Sequence, residues 1–186
     1  MLILKSASPR RKDFLQSLGL EFQIVAANVD ETSIPGESPL DYLKRVTLAK
    51  LERDFCKQNY LYIAADTIVV HAGDMLMKPK DEQDAYKMLH SLSNSRHSVY
   101  SGLALFYHGE LHYNYDETQV ITKSWTKQDI HTYIREYEPY DKAGSYGVQD
   151  KGGPVKELYG SYSNVVGFPL RKFYLYSELW RQYLRR

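Results

Sequence analysis

The stretch Leu61-Tyr62-Ile63-Ala64-Ala65 is short, apolar and unbroken, and it ends in Asp66-Thr67. Successive strand residues point to opposite faces, so such a run must be covered on both sides, as in an interior strand of a mixed sheet. A second apolar run, Leu2-Ile3-Leu4, passes through Ser6-Ala7-Ser8-Pro9-Arg10-Arg11 into a helical pattern with Phe14, Leu15 and Leu18 on one face. Ser8 suits an N-cap and Pro9 the first helical position. Arg10 and Arg11 then stand in the first turn, where the helix dipole disfavours cations by roughly 0.3–1 kcal/mol. Two readings follow. The arginines are solvated on a surface helix, or an anion shares the free N–H groups and the guanidinium forks.

The rest of the chain alternates helices and strands. Gly19 stops the first helix, and 21–26 (EFQIVA) reads as a strand. An acidic turn, Asn28-Val29-Asp30-Glu31-Thr32, and a loop at Ile34-Pro35-Gly36 precede a capping box at Ser38-Pro39-Leu40-Asp41, which opens a helix to about Asp54. Leu43, Val46 and Lys50 share one face of it, so Lys50 is either a snorkelling lysine or an ammonium aimed into a cleft. After Ile68–His71 and a turn at Ala72-Gly73-Asp74, a helix is expected over about 81–92. Antiparallel strands follow at 97–107 and 111–123, then a helix from Thr126 to about Tyr137, a strand at 155–159, a structured turn at 160–169 and a final helix over 170–184. The loop Asp141-Lys142-Ala143-Gly144-Ser145-Tyr146-Gly147-Val148-Gln149 is long and glycine-rich, and such loops are often functional. No linker or repeat interrupts the 186 residues, so a single domain, 1–186, is expected.

A formal net charge of +1 gives no general reason to expect a nucleic-acid or membrane partner. The single cysteine, Cys56, precludes an internal disulfide, no run is apolar enough to span a bilayer, and Lys5 interrupts any signal-peptide pattern. The expectation is cytoplasmic. Basic groups, lone acids and small residues recur at the predicted strand ends, which face the ligand crevice in open α/β sheets. Arg10 and Arg11 beside Ser6 and Ser8, together with Lys50 and Lys78, suit a polyphosphate. Glu31 and Asp66 suit a divalent cation, or one of them the deprotonation of a water. Each acid taken alone also suits a turn or an N-cap. The histidines show no metal-ligand spacing, and the chain has no Walker A loop, GxGxxG or GxSxG motif.

Six segments taken together carry more information. SASPRR at 6–11, VDET at 29–32, AADT at 64–67, KP at 78–79, DKAGSYGVQ at 141–149 and GSYSNVVGFP at 160–169 resemble the Maf family of nucleoside triphosphate pyrophosphatases, in order and over essentially the whole chain. The resemblance implies an α/β fold, a mixed curved sheet with flanking helices and two lobes around a central cleft, as in Maf and ITPase proteins. It also implies hydrolysis between the α and β phosphates to a monophosphate and pyrophosphate. Asp66 would be the proton acceptor and Glu31 its acidic partner, both on Mg²⁺ or Mn²⁺. Ser6, Arg10, Arg11, Lys50 and Lys78 would grip the triphosphate.

The YGVQ segment is similar to the dTTP and UTP branch, in which Arg11, Thr67 and Gln149 set specificity. A branch acting on 7-methyl-GTP carries Glu at the equivalent of Gln149. An amide both donates to and accepts from a pyrimidine edge, whereas a carboxylate suits a cationic base. The resemblance thus implies removal of surplus or modified pyrimidine triphosphates, with a homodimer as the associated assembly. A preference for other modified nucleotides such as 7-methyl-GTP, and a non-enzymatic nucleotide-binding regulator of septum formation, stand as the alternatives. Two positions depart from the family pattern: Asp150, where glycine is usual, and Lys5, where alanine is common.

Overall fold

The computed structural model describes residues 1–185 apart from Arg53 and Phe55. Strand β1 (Leu2–Leu4) lies between β2 (Gln23–Ile24) and β3 (Leu61–His71), and it is parallel to both. Its register sets Leu2 opposite Leu61, Ile3 opposite Tyr62 and Leu4 opposite Ile63. The alternation divides these residues cleanly. Leu2, Leu4, Leu61, Ile63 and Ala65 enter one buried cluster, while Ile3, Tyr62 and Ala64 enter another. The apolar run is therefore covered on both faces, as its composition requires. The strand expected over 21–26 contracts to the exposed pair Gln23–Ile24 at the edge.

Helix α1 (Pro9–Ser17) begins at Ser8 with proline at its first position, as expected, and contributes Leu15 to the first cluster. Helix α2 (Pro39–Ala49) is capped by Ser38 Oγ, which accepts from the Asp41 N–H at 3.2 Å. It ends at Ala49 rather than near Asp54, because the chain tightens through Leu51 N–H to Leu48 C=O and Glu52 N–H to Ala49 C=O, with Glu52 left-handed. Arg53, within the expected span, lies outside the described residues.

After β4 (Asp74–Leu76), antiparallel to the far half of β3, come α3 (Glu82–Leu92), β5 (Arg96–Tyr107) and β6 (Glu110–Thr122). The two-residue connection His108-Gly109 makes β5 and β6 a hairpin. Helix α4 (Lys127–Tyr137) carries the full capping box between Thr126 and Asp129, and β7 (Val155–Tyr159) pairs antiparallel with β6. The strand order is β2-β1-β3-β5-β6-β7, with β4 on β3.

A short helix, α5 (Tyr162–Val166), occupies the expected turn at 160–169. The expected final helix is broken into α6 (Leu170–Tyr174), α7 (Ser177–Trp180) and a 3₁₀ turn, Arg181–Tyr183. The cause is Trp180. Its ring stacks on Phe173 at 4.7 Å and its indole N–H donates to the Phe173 carbonyl at 2.9 Å, whereas seven residues of unbroken helix would separate them by about 10 Å.

The chain divides into two compact units, one of Met1–Asp66, Ser101–Asp116 and Gly167–Arg186, the other of Thr67–Tyr100 and Glu117–Val166. The first holds both clusters described above. The second has its own core of Val69, Ala85, Leu89, Val99, Ile130 and Ile134 with Tyr133 and Tyr146. In the first unit α2 packs closely on β5 at Gly102, where a Cβ would stand 2.5 Å from Thr47 Oγ1 and 3.2 Å from Leu43 Cγ. That close approach presents the end of α2 to the middle of β3. No helix among the described residues is long and apolar enough to cross a membrane.

Candidate active site

Tyr42, Val46 and Lys50 are spaced by four residues, so they form one stripe along α2, and all three are buried. Lys50 caps the helix C-terminus, where a cation is favoured. Its ammonium donates to Asp66 Oδ1 at 2.6 Å and pairs with Glu31 Oε1 at 2.8 Å. The Lys50 ammonium is thus held between two carboxylates instead of reaching out to solvent. Asp66 is only 7% exposed although it sits mid-strand in β3, so its charge requires this partner. The structure thus brings together three of the candidate residues, all within the first unit.

Glu31 reaches Lys50 from an irregular segment, and two residues of α2 hold that segment in place. The buried Tyr42 hydroxyl donates to the Glu31 carbonyl at 2.8 Å. Arg45 forks onto Glu37 at 2.6 and 2.7 Å and also donates to the Thr32 carbonyl at 3.0 Å. Burial, reinforced by Asp66 and then Glu31, raises the Tyr42 phenol well above its ordinary range, so it stays a neutral donor. Sequence reasoning missed Tyr42 and Arg45. For Tyr42 the signal was the stripe it shares with Val46 and Lys50.

At the start of α1 the Ser8 side chain makes no capping bond. Instead Ser6 Oγ accepts from the Ser8 N–H and from Arg11 Nη1, both at 3.2 Å, and Arg11 Nε donates to the Gly167 carbonyl at 2.9 Å. Arg11 is thereby turned inward. Burial lowers its pKa, while Asp66 raises it, Arg10 lowers it and Glu31 raises it. Arg10 is half-buried in the same turn. Lys5, buried beside Ser6, pairs with Glu52 at 2.5 Å, which compensates a charge that alanine would not bring.

Thr67, Lys78 and Gln149 belong to the second unit. Thr67 is half-buried on β3, Lys78 is exposed after β4, and Gln149 is exposed in the glycine-rich loop. Within that unit the Gly144 N–H donates to the Met77 carbonyl at 3.2 Å, tying the loop to the strand end before Lys78.

Two carboxylates meeting one ammonium also define what cation suits the first unit. Mg²⁺ is commonly held by one or two carboxylates together with substrate phosphates and waters, all hard oxygens. Glu31 and Asp66 fit that donor set. Among the described residues no group of three or more His, Cys, Asp or Glu gathers as a fuller metal cage.

The chain is similar to known proteins over most of its length. The family profile described as Maf-like protein matches residues 1–178. The dTTP/UTP pyrophosphatase of Leptospira interrogans is 46% identical over 185 residues, covering 100% of this chain and 98% of that protein. The protein of the same name from Leptospira biflexa is 48% identical over 180 residues, covering 97% and 94%. A solved nucleoside-triphosphatase (dITP/XTP pyrophosphatase) from Mycobacterium abscessus aligns at 14% identity with a TM-score of 0.46, covering 97% of this chain and 94% of that one.

Proposed function

The chain belongs to the Maf family, and on that premise we propose that it hydrolyses dTTP and UTP to the monophosphates and pyrophosphate, with modified pyrimidine triphosphates as further substrates. The observation that carries this reading is the Glu31–Lys50–Asp66 cluster, a buried ammonium between two carboxylates. Hydrolysis of a polyanion needs charge neutralisation, a positioned base and an aligned water. Asp66 takes the proton from water. The water oxygen bonds to the α-phosphorus, the bond from that phosphorus to the α–β bridging oxygen breaks, and pyrophosphate leaves with the electron pair.

Lys50 keeps Asp66 in place through the 2.6 Å contact and adds positive charge beside it. Ser6, Arg10 and the first-turn N–H groups of α1 bind phosphate oxygens, and Arg11 braces that turn through Ser6 and Gly167. A divalent cation held by Glu31 and Asp66 supplies further neutralisation of the phosphates when bound. Lys78 adds a phosphate contact, and Thr67 and the Gln149 amide contact the base, where an amide matches the donor and acceptor edge of uracil or thymine.

The test is pyrophosphate release with Mg²⁺ or Mn²⁺ from dTTP, UTP, CTP, GTP and 7-methyl-GTP. Release from dTTP and UTP, leaving monophosphates, is expected. Preference for 7-methyl-GTP, or release of orthophosphate instead, overturns the substrate or the bond assignment. Gln149→Glu is expected to lower dTTP and UTP turnover about tenfold while the protein stays folded. Equal losses on every nucleotide would remove Gln149 from the base contact.

A further inference from the structure

The segment that carries Gln149 is tied down by groups that take no part in the reaction. Tyr146 is buried, with its hydroxyl 2.7 Å from His97 Nε2. The Gly147 N–H donates both to the Tyr133 hydroxyl at 2.9 Å and to Asp150 Oδ2 at 3.1 Å. The Asp150 N–H donates back to the Gly147 carbonyl at 3.2 Å. Residues 147–150 therefore form a turn that Asp150 closes twice, by its backbone and by its carboxylate, with Gln149 third in it. The same oxygen, Asp150 Oδ2, accepts from the Tyr133 hydroxyl at 2.5 Å. Tyr133 is 3% exposed on α4, so the turn is fastened to the core of its unit. Gly147 must lack a side chain for this, since a Cβ would stand 2.6 Å from Asp150 Oδ2.

Asp150 is not among the residues with positive φ, so it does not stand there to relieve backbone strain. Its carboxylate is directed to its own turn rather than left beside the amide as a second polar contact. Burial, then the Asp150 carboxylate, raises the Tyr133 phenol, which keeps it a neutral donor. Gln149 itself is exposed. An exposed amide on an unfastened turn would present its donor and acceptor in many directions, and discrimination between bases requires one.

We propose that Asp150, acting through Gly147 and Tyr133, is a positioning residue that fixes Gln149 for base discrimination. This rests on the reading of Gln149 as the base contact. The measurement is kcat and KM for UTP and for CTP in the full chain, with Asp150→Ala, Asp150→Asn, Gln149→Ala and the double variant Gln149→Ala/Asp150→Ala, alongside thermal unfolding. Asp150→Ala is expected to reduce the preference for UTP over CTP about tenfold, the loss carried by KM for UTP. Asp150→Asn keeps most of the preference, since its carbonyl oxygen still accepts from Gly147 and Tyr133. In the Gln149→Ala background, Asp150→Ala costs no further preference.

An Asp150→Ala enzyme with the preference intact, or with equal losses on both nucleotides, overturns the proposal and leaves Asp150 a stabilising residue only. So does a further loss of preference in the Gln149→Ala background. Should Asp150→Ala not fold, Tyr133→Phe removes the phenolic donor and keeps the ring, and the same preference is read. Wild-type protein that releases no pyrophosphate from UTP overturns the functional reading and this proposal with it. Wild-type turnover with unchanged variants overturns this proposal alone.

Discussion

Lys50 holds Asp66 and Glu31 by charge, from the end of a helix and against the middle of a strand. The turn at 147–150 is held differently, by one phenol, one carboxylate and its own backbone, and the residue it presents is neutral. In the first region each charged group is itself part of the proposed chemistry, so removing one alters the reaction. In the second the fastening groups stand behind the residue that meets the base, so removing one alters choice among substrates. A site of charges tolerates little substitution. A site of hydrogen-bonded turns is where specificity is tuned without touching the base of the reaction.

The largest effect should come from Asp66→Asn, which keeps the shape and removes the proton acceptor. Turnover is expected to fall roughly 10²–10⁴-fold while nucleotide binding, read by equilibrium dialysis, persists. A folded Asp66→Asn protein with ordinary turnover would erase the distinction between the regions. Lys50→Met comes next, with turnover down about 10²-fold on every nucleotide alike. It also leaves the buried Asp66 without its cation, so a lower unfolding midpoint is expected. A loss confined to one nucleotide would assign Lys50 to substrate choice and break the comparison from the other side.

The fold was legible where periodicity reports burial. The unbroken apolar run at 61–65 predicted a strand covered on both faces, and the 43-46-50 spacing placed Lys50 on the apolar face of its helix with its role left open, because each depends on the local sequence alone. The final helix was not legible, since its periodicity said nothing of Trp180 stacking back on Phe173. The edge strand at 21–26 shrank because an edge offers no second partner to lengthen it. The acids and cations of the first region could be nominated from residue type. Tyr42 and Arg45 could not, because what they hold is backbone carbonyls 11 and 13 residues away. Asp150 was visible as a departure, but only the fold shows that its carboxylate meets Tyr133, 17 residues earlier.

The second region also predicts a pH dependence of stability. His97 is 3% exposed, and its Nδ1 has no hydrogen-bond partner among the described residues. Burial, and then the nearby His71, lower its pKa from 6.5 to about 4. Protonation would put an N–H on both ring nitrogens, one of them unmatched. The unfolded chain binds this proton more readily, so stability is fully present above about pH 6.5 and is lost as pH falls toward 4, by about 3 kcal/mol in all. Unfolding by denaturant across that window should show the slope, and His97→Gln should flatten it. An unchanged slope would mean that a group other than His97 supplies it.

Tyr42→Phe should give the smallest effect and the sharpest comparison. Its hydroxyl touches no group proposed to react; it holds the Glu31 backbone at 2.8 Å while Arg45 continues to hold Thr32 and Glu37. The loss is one neutral hydrogen bond, about 1 kcal/mol, or roughly fivefold in turnover if all of it is expressed at the reacting centre. Because Glu31 belongs to the charged region, the reduction should be the same for UTP and CTP, unlike that of Asp150→Ala. Wild-type turnover in Tyr42→Phe would mean that Glu31 is placed without the Tyr42 hydroxyl, the pull of Lys50 and the Arg45 bonds being enough. A change in the UTP to CTP preference would mean that the first region also reads the base.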